Sequence, residues 1–492
     1  MILNDRPRLQ VCLAFLATAL LLLPFSDIAV YPAEPWQELG RILLGIVTPH
    51  WQSAPELAWA ILHTFAFALV GVAISAVLGL LLSLVFNFRL IRVICASTRA
   101  VHEIFWALIF MQVFGLSTIT GILAIAIPYT GIFAKVFFEI LEQQPKTPRL
   151  TVHPSTNNLS AWLYAIFCQA LPQLRSYIRY RFECALRSSA ILGFIGLPTL
   201  GFYFETAFSQ GNYSEAACLL WCFYLLIASL RWWLNWRLIP AYIVVAILVL
   251  PDSAFANSNY FWQFVSKDIW PREILHGEWR AAGTWYWSTF TTTVLPALAY
   301  TIALSLLAMV LSGILALAWF PLATRAIAGR MHFLGHGFLL MVRSTPEFVL
   351  AFVLLLLFGP SALPAILALA VHNGGLIGYL LARNADTFQL RQDSPKGLNL
   401  VNYELIPRSF AAFMALLLYR WEVIMRESAI LGLLGITTLG FYIDSAFEEI
   451  RYDKAFFLVL MTAALNIVVD SFSRKLQRYC ELQNSPSCLQ SV

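Results

Sequence analysis

Two pairs of oppositely charged residues share one spacing in distant parts of the chain. Glu183 precedes Arg187 by four residues, and Glu422 precedes Arg426 by four. On a helix this spacing and order bring the carboxylate and the guanidinium together. The pairs are interpreted in two ways: as ion pairs that only stabilise their helices, or as charged collars beside a polar pathway. Because both copies have the same arrangement, neither interpretation is preferred.

Each pair leads into the same glycine-rich phrase. RSSAILGFIGLPTLGFYFETAF runs from Arg187 to Phe208, and RESAILGLLGITTLGFYIDSAF runs from Arg426 to Phe447. By direct count about 14 of the 22 positions are identical, far more than a shared apolar pattern produces. The chain is therefore predicted to contain two related modules, 1–237 and 238–492, joined without a flexible linker.

The glycines and hydroxyls of this phrase have two interpretations. Small residues in an apolar segment are typical of helix packing surfaces. They are also typical of a broken helix that lines a transport pathway, where freed backbone groups are useful. The second interpretation predicts a translocation path or gate made of Gly193, Gly196, Thr199, Gly201, Gly432, Gly435, Thr438 and Gly440.

No sequence pattern indicates catalysis. The phosphate-binding G-x-x-x-x-G-K-[ST] motif is absent, as are H-E-x-x-H and G-x-S-x-G. His332 and His336 have helical spacing, but they fall in a predicted loop. The sequence thus predicts no catalytic residue, no resident cofactor and no metal site. Glu103 and Glu347, at equivalent places in the two halves, are interpreted as structural residues at helix starts.

The elements that carry these residues are predicted to be membrane helices. Hydrophobic residues make up 60% of the chain and charged residues 12%, against about 45–50% and about 25% in soluble domains. Many stretches approach the roughly 20 apolar residues needed to cross a bilayer. The fold class is therefore an all-α polytopic membrane protein with about twelve helices. They are predicted at 9–30, 57–87, 100–118, 120–141, 162–205 (long and broken), 215–236, 238–252, 286–320, 344–360, 362–385, 408–445 and 454–473.

Lys and Arg predict the orientation. They concentrate before the first helix, after the second and after the fourth of each half, and again near both ends of the chain. The positive-inside rule then makes both termini cytoplasmic. Since each half has an even number of helices, both halves enter from the same side. A pseudo-twofold axis along the membrane normal is expected to relate them.

Several motifs together resemble a known family. The phrases RSSAILGFIG and RESAILGLLG are similar to R-S-A-x-L-G-L-x-G of the permease subunits of phosphonate-type ABC (ATP-binding-cassette) importers. Arg343-Ser-Thr-Pro-Glu347 resembles their R-S-x-P-E, and the segment from Gly131 to Glu142 resembles G-x-x-x-K-x-x-x-E-x-x-E. Gln169-Ala-Leu-Pro172 resembles Q-x-L-P ahead of R-[FY]-E. The likeness covers both halves in the family's order.

The resemblance implies a fold, a function and partners. The chain would be two fused type I permease modules in a bacterial inner membrane, importing a phosphonate, phosphite or related oxyanion. Two cytoplasmic ATPase subunits would consume the ATP, a periplasmic binding protein would deliver substrate, and no nucleic acid would bind. The loops between the fourth and fifth helices of each half would contact the ATPases. Their candidate coupling residues are Lys146, Arg149, Asn158, Pro395, Lys396 and Gly397.

Two other classes of membrane protein stay open. One is an ion-coupled secondary transporter of six plus six helices, in which intramembrane acidic residues would replace the ATPases. The other is a divergent membrane component that transports nothing. The family's usual G-A-G-G-I-G continuation reads GLPTLG and GITTLG here, and the ATPase-docking E-A-A-x-x-x-G loop is not intact in either half.

Overall fold

The protein is described by a computed structural model that covers residues 6–31, 35–51, 54–145, 147–150, 153, 155–251, 258–391 and 393–480. Helices account for most of these residues, and none of them lies in a strand. The helices of the first sequence half are α1 Arg6–Leu22, α2 Pro35–Val47, α3 Ala54–Leu84, α4 Arg89–Ala100, α5 Glu103–Phe114, α6 Thr118–Glu142, α7 Thr147–Leu150, α8 Asn158–Trp162, α9 Cys168–Ile191, α10 Leu200–Ser209 and α11 Tyr213–Trp233.

The second sequence half has a corresponding series. Its helices are α12 Ile239–Val249, α13 Ser258–Gln263, α14 Arg272–Leu275, α15 Trp279–Thr289, α16 Leu295–Ala323, α17 Arg325–Ala328, α18 His332–Ser344, α19 Glu347–Phe358, α20 Ala362–Ala385, α21 Leu398–Leu400, α22 Ile406–Ile430, α23 Leu439–Glu448 and α24 Tyr452–Tyr479.

The predicted fold class is confirmed: this is an all-α polytopic membrane protein. Eight described helices are long and apolar enough to cross a membrane, and three sharply bent pairs raise the number to eleven. The shorter apolar helix α12 brings it to the twelve predicted. Length and composition set this count.

Two predicted helices differ from the structure in the same way. The segments expected at 100–118 and 344–360 start earlier and turn sharply. α4 meets α5 at 93°, and the segment Arg325–Ser344 meets α19 at 87°. In the second half Pro346 explains the turn, because a proline disfavours the helical conformation of the residue before it; Thr345 is extended with ψ 124°. In the first half His102 replaces the proline and its Nδ1 accepts a hydrogen bond from the N–H of Ile104 at 3.2 Å.

The structure divides into two compact units. One takes in the described residues of Met1–Leu44 and Trp262–Cys488, and the other takes in those of Gly45–Phe261. Each unit thus holds the first helix of the other sequence half. The division at 237 and 238 describes the sequence repeat, and as a domain boundary it stays a prediction.

The first helix of each half packs within its unit. In the unit that holds α1, this helix lies against α16, and the ring of Phe15 contacts that of Trp421 at 5.4 Å between centroids. In the other unit α12 lies against α3, and Tyr242 donates a hydrogen bond to the carbonyl of Trp233 at 2.8 Å. Aromatic contacts therefore fix both helices.

Candidate functional site

Each glycine-rich phrase forms a broken helix, as the sequence predicted for 162–205. In the first half α9 tightens into a 3-10 turn at Leu192–Ile195, Gly196 adopts φ +95°, and α10 starts at Leu200. The bend across this break is 52°. The second half repeats the turn, and Gly435 has φ +82°. A glycine with positive φ is the common way to end a helix, because other residues pay a steric penalty there.

The backbone group freed by each break is satisfied by a threonine of the neighbouring long helix. The hydroxyl of Thr64 on α3 accepts a hydrogen bond from the N–H of Leu200 at 2.8 Å and donates to the carbonyl of Ala60 at 2.7 Å. Thr301 on α16 does the same for the N–H of Leu439 at 3.1 Å. Irregular backbone at membrane depth requires such partners, because lipid supplies none.

Four of the signature glycines permit a very close approach of the two helix segments. A Cβ at Gly201 would lie 1.7 Å from the carbonyl oxygen of Ala190, and one at Gly193 would lie 2.1 Å from the nitrogen of Phe202. The equivalent distances for Gly440 and Gly432 are 1.5 and 2.0 Å. These contacts are the helix-packing role that the sequence left as one interpretation. Their assignment to a translocation path stays a prediction.

The two signature threonines are fully buried at the starts of α10 and α23. Thr199 and Thr438 are both 0% exposed. Neither hydroxyl oxygen has a hydrogen-bond partner in the structure as described. A buried polar atom without a partner is uncommon and costly, so these hydroxyls keep unused hydrogen-bonding capacity.

A group of charged and polar residues lies deep inside the unit that holds α16 to α24. We call Glu347, His372, Asn373, Arg420 and Glu427 the Glu347 cluster. All five are at least nine-tenths buried. His372 and Asn373 lie at the centre of the 24-residue helix α20. A helix of this length spans about 36 Å, slightly more than the apolar layer of about 30 Å, so its centre lies near the middle of the membrane.

The contacts of the Glu347 cluster connect α19, α20 and α22. Arg420 donates through Nε to Oδ1 of Asn373 at 2.6 Å and through its NH2 group to Oε1 of Glu427 at 3.4 Å. Asn373 donates to Oε2 of Glu427 at 3.2 Å. Nε2 of His372 lies 3.8 Å from Oε2 of Glu347. Charges at this depth persist only when they are paired in this way.

The first half has a less charged group at the equivalent place. Oε2 of Glu103 lies 2.8 Å from Nε2 of His102, and Oε1 of Glu103 accepts a hydrogen bond from Ser188 at 3.1 Å. The Ser188 hydroxyl is also 3.3 Å from that of Tyr129. The guanidinium of Arg181 lies over the Tyr129 ring at 5.6 Å. We call these five residues the Glu103 cluster.

The charged residues chosen from the sequence lie on α9 and α22, the helices that also carry Arg181 and Arg420. Glu183, Arg187, Glu422 and Arg426 are all half-buried. Arg187 donates to the sulfur of Cys184 at 3.3 Å. Their roles as pairs or collars stay predictions.

The sequence did not predict the buried ion pair between Arg420 and Glu427. The charged pairs were predicted from residues that recur in both halves, and Glu427 is matched by Ser188 in the first half. A comparison of the two halves therefore does not reveal this pair.

The candidate coupling residues lie in the segments between α6 and α9 and between α20 and α22. Pro395, Lys396 and Gly397 are exposed, and Gly397 has φ +63° ahead of α21. Arg149 lies in α7 and Asn158 is the first residue of α8. Lys146 lies outside the described residues. Whether these segments contact an ATPase stays a prediction.

The apolar helices described above define a multi-pass membrane protein, and the proteins to which it is similar are transport permeases. The phosphate-import permease protein PhnE of Mycolicibacterium smegmatis is 22% identical over 473 residues, 88% of this chain and 87% of that protein. The phosphite transport system permease protein PtxC of Stutzerimonas stutzeri is 26% identical over 28% of this chain and 52% of its own length.

A third relative fixes the family. A protein described as a cryptic phosphonate transport system permease, PhnE2 of Escherichia coli (strain K12), is 31% identical over 117 residues, 24% of this chain and 95% of that protein. The chain therefore belongs to the permease proteins of phosphonate-type transport systems and is a transport subunit. No family model matches it. No solved structure matches it.

Proposed function

We propose that this chain is the translocation subunit of an ATP-binding-cassette importer for a phosphorus oxyanion such as phosphate, phosphite or a phosphonate. The observation that carries the proposal is the similarity to the mycobacterial phosphate-import permease, which extends over 88% of the chain and so includes both halves. A phosphite permease and a phosphonate permease share shorter segments with it. The common substrate chemistry of these relatives is a tetrahedral anion of phosphorus.

Each half supplies the same kinds of residue for transport. Each contributes a broken helix, a threonine hydroxyl with unused hydrogen-bonding capacity and an arginine on the broken helix, Arg181 or Arg420. Hydroxyl and guanidinium groups are the usual partners of phosphate-like oxygens. In this proposal Thr199 and Thr438, with the signature glycines around them, line or gate the path, and the two fused modules replace a pair of separate permease chains.

The proposal includes the partners that an importer of this class needs. Two ATPase subunits bind the cytoplasmic segments 143–165 and 387–406, and a periplasmic binding protein delivers the anion to the outer face. The protein then lies in a bacterial inner membrane with both termini in the cytoplasm. The exposed residues Pro395, Lys396 and Gly397 give the second segment a free surface for such a contact.

A reconstituted system tests this function. The chain is purified with its ATPase subunits and placed in proteoliposomes, and uptake of radiolabelled phosphate, phosphite and methylphosphonate is measured with the binding protein present. We expect ATP-dependent uptake of at least one of these anions, abolished by an ATPase variant that binds but does not hydrolyse ATP. Deleting 390–400 should reduce both uptake and ATPase association.

The Glu347 cluster favours one alternative, an ion-coupled transporter, because buried acidic residues are the usual proton or cation sites of such proteins. The same liposomes separate the two functions. Uptake that proceeds without ATP and collapses when an ionophore dissipates the proton gradient would contradict the ATP-driven proposal. Uptake that depends on ATP and is insensitive to the ionophore would support it.

A further inference from the structure

The Glu347 cluster contains three side chains of the kinds that bind transition metals. Glu347, His372 and Glu427 each direct one ligand atom into the same space, and these atoms all lie within 4.8 Å of one another. Two ligands of a zinc ion are about 3.4 Å apart when each metal–ligand bond is about 2.1 Å and the geometry is tetrahedral. The 3.8 Å between His372 Nε2 and Glu347 Oε2 is close to this value. The ligand atoms that are as much as 4.8 Å apart would have to approach by up to about 1.4 Å to hold one ion.

His372 is held in the tautomer that a metal ligand needs. Its Nδ1 lies 2.9 Å from the backbone carbonyl of Thr345. A carbonyl oxygen only accepts, so Nδ1 carries the proton, and in the neutral ring Nε2 presents a lone pair toward Glu347. Metal-binding histidines almost always donate their other ring N–H to a carbonyl or carboxylate in this way.

Glu427 is held by outer contacts of its own. Arg420 donates to one carboxylate oxygen and Asn373 to the other, at 3.4 and 3.2 Å. A carboxylate has about four lone-pair positions, so these two hydrogen bonds leave capacity for a cation. Ligating carboxylates are themselves usually hydrogen-bonded, and this support sets their orientation.

The kinds of ligand atom in the cluster indicate which cation fits. A nitrogen ligand with two oxygen ligands suits Zn²⁺ and related divalent transition-metal ions better than Mg²⁺ or Ca²⁺, which prefer oxygen alone.

We propose that Glu347, His372 and Glu427 form a binding site for one divalent transition-metal ion, of the Zn²⁺ type, in the membrane interior of the second half. The ion connects α19, α20 and α22, with a fourth position left for water or an anion. This departs from the sequence-based expectation of no metal site. It is independent of the substrate proposed above, because it concerns these residues alone.

The first half provides an internal control. In the alignment of the two halves Glu347 corresponds to Glu103, but His372 corresponds to Pro128 and Glu427 to Ser188. The Glu103 cluster therefore lacks a ligand at two of the three aligned positions, and although it contains His102 it has only one carboxylate. The site is expected once per chain, although the helices that carry it occur twice.

Zinc binding by the full-length chain in detergent or lipid nanodiscs tests the site. The protein is stripped with a chelator and titrated with Zn²⁺ by equilibrium dialysis, and bound metal is measured by elemental analysis. We expect one Zn²⁺ per chain. His372→Gln and Glu347→Gln should each weaken zinc binding at least about 100-fold. Loss of a residue that only supports a metal ligand already weakens binding by up to about 100-fold, and these residues are the ligands themselves. Glu103→Gln, the matched control, should bind zinc like the unaltered chain.

Measurements on the unaltered chain keep the test decisive if a variant misfolds. X-ray absorption at the zinc edge should show nitrogen and oxygen neighbours at about 2.0–2.2 Å. Co²⁺ in place of Zn²⁺ should give the visible absorption of a four-coordinate ion. A folded chain that binds no zinc, or one whose metal content is unchanged by His372→Gln, would overturn the proposal. If the cluster takes up only a proton at His372, the folded chain binds no zinc and the proposal is overturned.

Discussion

Thr64 and Thr301 are single residues on which the breaks in two membrane helices depend. Each hydroxyl accepts the N–H at the start of the helix after the break, Leu200 or Leu439. Replacing either threonine with valine keeps the shape and removes the acceptor. We expect a loss of about 1–3 kcal/mol, the cost of leaving a buried donor unsatisfied. The measurement is the unfolding temperature of the purified chain.

Thr18 is the matched control for this prediction. Its hydroxyl also donates to the carbonyl four residues earlier, at 2.8 Å to Ala14, but the residue is exposed and no backbone N–H donates to it. Thr18→Val should leave the unfolding temperature within experimental scatter. If Thr64→Val and Thr301→Val behave like Thr18→Val, the threonines do not support the breaks.

At the residue scale, the sequence predicted which segments carry the site residues better than it predicted the contacts of those residues. It located both glycine phrases and the charged segments before them, because repetition makes these visible. It did not predict the contact between Arg420 and Glu427 or the position of His372. Those residues come together from α20 and α22, and a contact between residues of different helices leaves no periodicity in either one. Only the second half has a histidine and a glutamate at the positions of His372 and Glu427, so a comparison of the two halves does not reveal these residues.

At the scale of the element, the break between α22 and α23 depends on two kinds of glycine, and a glycine of another helix serves as the control. Gly440 is in contact with the backbone, Gly435 has positive φ in open space, and Gly283 of α15 has neither constraint. Replacement by alanine should therefore have three different effects. Gly440→Ala should abolish folding, Gly435→Ala should cost about 1–2 kcal/mol of backbone strain, and Gly283→Ala should be neutral or slightly stabilising.

The measurement is the yield of monodisperse protein by fluorescence-detected gel filtration, with the unfolding temperature of each folded variant. Equal yields for the three alanine variants would show that α23 can move away from Ala429. The result also bears on tests of the path. Leucine at Gly196 or Gly435 strains the backbone wherever the pathway lies, so loss of uptake in those variants has to be compared with the amount of folded chain.

The helix list shows where sequence patterns are sufficient. Long apolar segments such as α3, α6 and α20 were predicted to within a few residues, because burial in lipid leaves a continuous signal. The sharp turns ahead of α5 and α19 were not predicted. At each turn a short polar helix precedes a short apolar helix. Hydropathy averaged over a window of membrane length includes both helices, so the turn between them leaves no signal.

For the whole molecule, the orientation in the membrane is the prediction that decides between topologies. Lys396 and Trp270 are expected on opposite sides, cytoplasmic and external, and both side chains are exposed. Single cysteines at these positions, in a chain whose native cysteines are replaced, should react differently with an impermeant maleimide. Trp270→Cys should label in intact cells and Lys396→Cys after permeabilisation alone. Labelling of Lys396→Cys in intact cells would contradict the predicted orientation.

The placement of α1 in the unit that contains α16 and α22 has a consequence for the order of events during synthesis. α1 leaves the ribosome long before α16, against which it packs and which begins at Leu295. At about 5–20 residues per second, α1 waits roughly 15–60 s for that partner. During this time only lipid or the insertion machinery covers its exposed apolar surface. The unit therefore closes late, and a ribosome that stalls between the two helices leaves α1 without a place to dock.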